Sequence, residues 1–285
     1  MTKQDVLENQ KKPVAAEEDE DTIIDTSKMS EGKRAALEVT EASRDTTTTY
    51  PSFAGDIFMG KIPWDLVHPY PAQSDEDRAK GDAFLEQLEA FLHDKVDPDE
   101  IDRTGEIPQE VFEGLAKLKA FAIKIPTKYG GLGLSQANYC RAGTLVGSYC
   151  GNISALLSAH QSIGIPQPLL VFGTEEQKQK NLTQIAEGMV SAFALTEERV
   201  GSDPAKMQTT AEPTEDGKHC VNIGETLWCT NGLKAGVLVV MARTPPKMVR
   251  GKERTQITAF IVVTAWTGVK IVHRCRFMGL KALSN

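Results

Sequence analysis

Gly188-Met189-Val190-Ser191-Ala192-Phe193-Ala194-Leu195-Thr196-Glu197-Glu198-Arg199-Val200-Gly201-Ser202-Asp203 is where the hydrophobic period of this chain changes. Upstream, residues 75–188 repeat at the helical interval. Phe84, Leu85, Leu88, Phe91 and Leu92 fall on one face. A second helix is expected to open at Pro108, with Val111, Phe112, Leu115, Leu118 and Phe121 turned inward. Helices are also predicted over 136–149 and 154–162. Thr174-Glu175-Glu176-Gln177 has the form of a capping box that opens another, and Gly188 suits the stop. Downstream of Met189 the runs are short and β-rich: 190–196, 206–211, 219–223, 236–243, 256–263 and 268–273. Asp216-Gly217 reads as a hairpin turn. The stretch from Pro245-Pro246 to Arg254 reads as a basic loop between two strands. An all-helical half followed by an all-β half implies two domains.

The first 49 residues contain no aromatic side chain and include Glu17-Glu18-Asp19-Glu20-Asp21. Such a segment buries too little apolar surface to offset chain ordering, so 1–49 is expected to be a disordered acidic tail, with a frayed helix around 33–42. Residues 50–71 carry Phe53, Phe58, Trp64, Leu66 and Tyr70, and are expected to pack along a folded body. The helical domain is thus 50–188 and the β domain 189–285. The end at Asn285, just after a strand-like run, would leave a sheet edge open, which suggests a chain cut short.

A net charge of −7 disfavours a nucleic-acid surface. No apolar run reaches the length of a membrane span. Cys140, Cys150, Cys220, Cys229 and Cys275 are widely spaced and form no CxxC pair, as expected of free buried thiols in a reducing compartment. The acid-rich start lacks the features of a secretory or mitochondrial leader, so a bacterial-type cytoplasm is expected before a mitochondrial matrix.

Three local patterns go further than periodicity. The first is Phe193-Ala194-Leu195-Thr196-Glu197 followed by Gly201-Ser202-Asp203. The second is Leu227-Trp228-Cys229-Thr230-Asn231-Gly232, and the third is Phe277-Met278-Gly279-Leu280-Lys281-Ala282. In that order and spacing they resemble the signatures of the acyl-CoA dehydrogenase family. Tyr129-Gly130-Gly131-Leu132-Gly133, Ala159-His160-Gln161-Ser162 and Phe172-Gly173-Thr174 fit its helical domain. The likeness runs from about residue 51 to Asn285 and is strongest to the very-long-chain branch. Two positions depart from the pattern. Glu198-Arg199 stands where many members have Pro after Thr-Glu, and Thr226 stands where many have Lys.

The resemblance implies an N-terminal all-helical domain and an antiparallel β-barrel-like middle domain, incomplete here and lacking a C-terminal helical bundle. It also implies FAD, an acyl-CoA substrate of fatty acid β-oxidation, electron-transferring flavoprotein as acceptor, and a homo-oligomer. Trp228 would stack on the flavin ring, with Cys229 beside it and Thr230 near N5. Phe193, Leu195 and Thr196 would line the ring. Gly201 and Ser202 would turn toward the pyrophosphate, Ser202 also facing the pantetheine arm. Gly133 and His160 would border the acyl tunnel. The family's catalytic base lies in the bundle, so no catalytic residue is expected in this chain, and alone it is expected to be inactive. Taken singly, these residues have plainer readings: a strand-borne tryptophan as core, Gly201-Ser202 as an ordinary turn, His160 as a satisfied core histidine. A non-catalytic scaffold protein on the same fold and an acyl-CoA oxidase are the alternatives.

Overall fold

The computed structural model describes residues 30, 53–69, 72–217, 219–249 and 252–285. Apart from Ser30, the expected acidic tail and its frayed helix lie outside the described residues. The chain divides into two compact units, Met1–Pro71 and Ala72–Asn285. In the first, helix α1 (Phe53–Phe58) buries none of its residues.

The second unit begins with seven helices: α2 (Asp75–Lys95), α3 (Pro98–Thr104), α4 (Gln109–Lys117), α5 (Gln136–Tyr149), α6 (Gly151–Ser162), α7 (Pro166–Phe172) and α8 (Glu175–Ala186). Their starts follow from local chemistry. Ser74, Asp97, Ser135 and Thr174 each accept a backbone N–H of the first turn, and Thr174 with Gln177 closes a reciprocal capping box. Gly188, at φ +109, follows the end of α8 as expected. Helices α3 and α7, at seven residues each, are too short for periodicity to reveal.

The predicted inner faces form the helical core. Phe84, Leu88, Leu92, Val111, Leu115 and Phe121 are buried, while Leu85, Phe91, Phe112 and Leu118 pack at its margin. Helices α2 and α5 meet at Gly81. The amide of Asn138 lies against it, donating to Asp77 O at 2.7 Å and accepting from Gln73 at 2.7 Å. A Cβ at Gly81 would stand 2.0 Å from Asn138 Oδ1. Gly81→Ala would gain about 1 kcal/mol of helix propensity. Displacing a side chain held by several hydrogen bonds costs more, roughly 1–3 kcal/mol. The net expectation is a lowered unfolding midpoint in a thermal melt; a raised one would refute this account of the contact.

The sheet contains β1 (Ser191–Ala194), β2 (Thr210–Pro213), β3 (Cys220–Ile223), β4 (Val237–Val249) and β5 (Lys252–Val263). The architecture is helical first and a curled sheet second, as expected, but the sheet is mixed. β1 and β2 pair parallel to β4, whereas β2–β3 and β4–β5 are antiparallel. The crossover between β1 and β4 returns the chain in the same direction, a relation no local pattern encodes. Along β4 the side chains alternate. Val237 and Val239 join Ile165, Leu169, Leu182 and Ile185 beneath the sheet, and Leu238 joins Ala192 and Ala235 on the other face.

Four expectations need correction. The expected basic loop is instead part of a long hairpin: β4 runs through Pro245-Pro246, where its register with β5 shifts between Thr244 and Lys247. An irregularity is where a strand tolerates residues that cannot donate. Residues 268–273 form no strand; Ile271 and Val272 are exposed and unpaired, and β propensity needs a partner. The run at 206–211 begins its strand only at Thr210, after a 3-10 turn at Pro204–Lys206, because other acceptors claim its amides (below). Of the five free cysteines, only Cys150 is buried, and Cys140 and Cys220 are exposed.

Candidate functional site

The three sequence patterns lie far apart along the chain, and the fold brings them together. Strand β1 ends at Ala194 and delivers Leu195 and Thr196 to the sheet's rim. There the N–H of Leu227 donates to Thr196 O at 2.7 Å, tying the second pattern to the first. The rings of Trp228 and Phe277 lie 5.9 Å apart at 43°, which adds the third.

The loop that carries Trp228 is anchored from below. Asn231 has no exposed surface, and its Nδ2 donates to Leu156 O on α6 at 3.0 Å. It sits at φ +72, a left-handed position that asparagine tolerates better than most residues. Its backbone carbonyl accepts from Lys234 N and Ala235 N, which closes the turn into β4. Asn231→Ala should therefore cost about 2 kcal/mol, combining left-handed strain with a lost buried hydrogen bond. A denaturant midpoint equal to wild type would show that the anchor carries no load.

On that base Trp228 is held at φ +57 and remains 56% exposed. A bulky residue in the left-handed region is strained, and an exposed indole gains little burial in return. Cys229, next in the chain, packs against the cluster of Ala192, Ala235 and Leu238; burial pushes its thiol up to about 11 against the pull of the Phe193 amide, so it is an inert neighbour.

Several polar groups of the first two patterns are unspent. The hydroxyls of Thr196, Ser202 and Thr230, and the amides of Gly201 and Ser202, have no hydrogen-bond partner among the described residues. Thr196 and Thr230 are half-buried, while Gly201 and Ser202 are exposed. Nothing lies within 4 Å of where a Cβ on Gly201 would stand. An aromatic face beside several free donors suits a flat, hydrogen-bonding, anionic ligand.

The tight turn expected at Gly201-Ser202 sits three residues earlier. Glu197 and Val200 exchange N–H···O bonds of 2.9 and 3.1 Å, so the chain reverses at Glu198-Arg199. The Glu197 carboxylate accepts from Gln208 N at 2.6 Å and Thr209 N at 2.7 Å. These are the amides lost to strand pairing before Thr210. Burial pushes the Glu197 carboxyl up, but the donated amides and the charge of Arg243 outweigh it and hold it below its ordinary value.

Two expected contacts change. Phe193 is half-buried and packs against the core on the helical side of the sheet, which Leu170 and Met241 also flank. His160 has no exposed surface. Its Nδ1 accepts from Ser191 N at 2.9 Å and its Nε2 lies 3.0 Å from Phe121 O. Both nitrogens are satisfied inside the protein, which removes His160 from direct contact with a ligand and makes it the link between α6 and β1. Sequence reading missed Phe277 as the neighbour of Trp228, and Glu197 and Asn231 as anchors. The last two were visible only as motif letters, since a buried polar role leaves no periodic trace. Among the described residues no cluster of His, Cys, Asp or Glu could hold a metal, and no helix is long and apolar enough to cross a membrane.

Comparison with known proteins agrees with this convergence. Residues 79–189 match the Acyl-CoA dehydrogenase, N-terminal domain, and residues 192–285 the Acyl-CoA dehydrogenase, middle domain. "Probable acyl-CoA dehydrogenase FadE10" of Mycobacterium tuberculosis is 46% identical over 250 residues, covering 88% of this chain and 38% of its own length. The "Very long-chain specific acyl-CoA dehydrogenase, mitochondrial" of Rattus norvegicus is 36% identical over 267 residues, covering 89% and 40%. The chain thus spans about two fifths of the length of these relatives. An acyl-CoA dehydrogenase from Bacillus anthracis, solved in complex with FAD, superimposes with a TM-score of 0.61 at 30% identity, over 74% of this chain and 35% of that one. With both domain matches in sequence order, and the signature residues gathered at one rim of the sheet, this chain belongs to the acyl-CoA dehydrogenase family.

Proposed function

We propose that this chain forms the flavin-binding part of an FAD-dependent enzyme that introduces an α,β double bond into long-chain acyl-CoA thioesters during fatty acid β-oxidation. The observation that carries the proposal is Trp228, strained and exposed on the loop tied to Thr196, together with the free donors of Thr196, Thr230, Gly201 and Ser202 in the same signature patterns. FAD, when bound, supplies the redox chemistry by accepting hydride from the β carbon.

The chain's residues supply position. Trp228 offers a flat wall whose backbone is set by the turn through Asn231. The Thr196 and Thr230 hydroxyls lie at the same rim, suited to the polar edge of the ring, with Leu195 between them and β1. The free amides and hydroxyl of Gly201-Ser202 form a compact donor group for phosphate oxygens, with Ser202 available to the pantetheine arm. Removing the α proton needs a carboxylate with a free oxygen. Glu197, in the first pattern, has both oxygens committed to amides and is not the base we assign; the family resemblance implies a base in the C-terminal helical bundle, and we expect this chain alone to be inactive. Electron-transferring flavoprotein is the acceptor we assign, and a homo-oligomer the working form. The five free thiols fit a reducing, cytoplasm-like compartment.

The test is an anaerobic absorbance titration of the complete protein with palmitoyl-CoA. Bleaching of a flavin spectrum supports the proposal. A protein that cannot be loaded with FAD would instead support the scaffold reading, and rapid reoxidation by O₂ at the turnover rate would support an oxidase.

A further inference from the structure

Glu197 is a buried carboxylate that the proposed chemistry leaves unused. It is 8% exposed, and each oxygen accepts one of two successive amides, Gln208 N at 2.6 Å and Thr209 N at 2.7 Å. Between these contacts the chain makes an excursion of eleven residues, 198–208, from the rim of the sheet. Glu197 also closes the start of that excursion through its backbone exchange with Val200. The far end is fixed to the sheet, because Thr209 O accepts from Arg243 N at 2.9 Å. A single residue therefore pins both ends of the loop, its backbone the near end and its carboxylate the far one, and Gly201 and Ser202 stand just beyond the pinned turn.

We propose that Glu197 is a positioning residue: its carboxylate fixes the loop so that the free amides of Gly201 and Ser202 are presented together to the phosphates of the flavin. This rests on the flavin reading above. The physical case is preorganisation. Exposed amides on a loose loop lose chain entropy whenever they close on an anion, and a loop already pinned at both ends has lost it during folding. Inside the loop Val200 and Met207 are also buried and Pro204–Lys206 forms a 3-10 turn, so the carboxylate adds a polar restraint to apolar ones. Gly201 makes no steric contact that would hold it, and the ion pair nearest to it, Lys206–Asp203, is exposed and weak. A carboxylate is also the side chain suited to two converging N–H donors, because both of its oxygens accept. Glutamine keeps the length but offers one acceptor and turns an NH₂ group on the second amide.

The experiment compares wild type, Glu197→Gln and Glu197→Ala in the complete protein. FAD affinity of the apoprotein is measured by flavin fluorescence well below the melting temperature, together with amide hydrogen exchange with and without FAD. In wild type, FAD should protect the Gly201 and Ser202 amides. In Glu197→Gln the Kd for FAD should rise about tenfold, equivalent to about 1.4 kcal/mol. FAD-dependent protection at Gly201 and Ser202 should be lost while protection near Thr230 is kept. Glu197→Ala should show the same pattern more strongly. A lowered melting temperature with unchanged FAD affinity and unchanged protection would overturn the proposal, leaving Glu197 as fold support only. A wild-type protein that takes up no FAD would overturn the flavin reading itself, a distinct outcome.

Discussion

Between pH 7 and pH 4 the protein is expected to lose about 3 kcal/mol of folding free energy through His160 alone. Ser191 N–H points at Nδ1, so Nδ1 must accept and the proton must sit on Nε2, facing Phe121 O. A second proton would place a charge in a site with no exposed surface. Burial accordingly lowers the His160 pKa from 6.5 to about 4, against the pull of the contacts to Phe121 and Ser191. The unfolded chain takes up the proton near pH 6.5 and the folded one only near 4. This contribution is therefore whole above pH 6.5 and is lost as the pH falls toward 4. Denaturant melts across this range, in wild type and His160→Gln, isolate the effect. The variant should be less stable at pH 7 and show a pH dependence shallower by about that amount. Parallel curves would refute the tautomer assignment. The consequence reaches the site, because His160 holds Ser191 at the head of the strand that presents Leu195 and Thr196.

Trp228→Ala should separate stability from ligand binding. The indole is more than half exposed and touches chiefly Phe277, so truncation should move the unfolding free energy by less than about 1 kcal/mol. On the proposed function the same truncation removes the aromatic wall, and central tryptophans of this kind carry about 3 kcal/mol of binding, roughly a hundredfold in Kd. Equilibrium dialysis with FAD beside a thermal melt reads both quantities. An unchanged Kd would take Trp228 out of the flavin site. A collapse in melting temperature would return it to the core role that a lone tryptophan usually has.

The helical half was legible because each long helix states its buried face several times over, as Phe84, Leu88 and Leu92 do on α2, and announces its start with a cap such as Thr174. The sheet was less legible. Its strands are short, and what distinguishes residues 210–213, which pair, from 268–273, which do not, is the presence of a neighbour. The prolines of β4 misled for a related reason: a missing N–H matters only if the register demands it there.

The sequence by itself determined the order of the two halves, the place of the switch at Met189, and the family signatures, since all of these are written in residues close together in the chain. Only the tertiary structure decided which signature residues are buried and which stay exposed. It turned Phe193 and His160 inward, left Trp228 at the surface, and engaged Glu197 with the amides of residues eleven and twelve positions away. The reason is physical. A side chain's type limits what it can bond to, but whether its partner is a backbone group, a core or an incoming ligand depends on what the remainder of the chain places beside it.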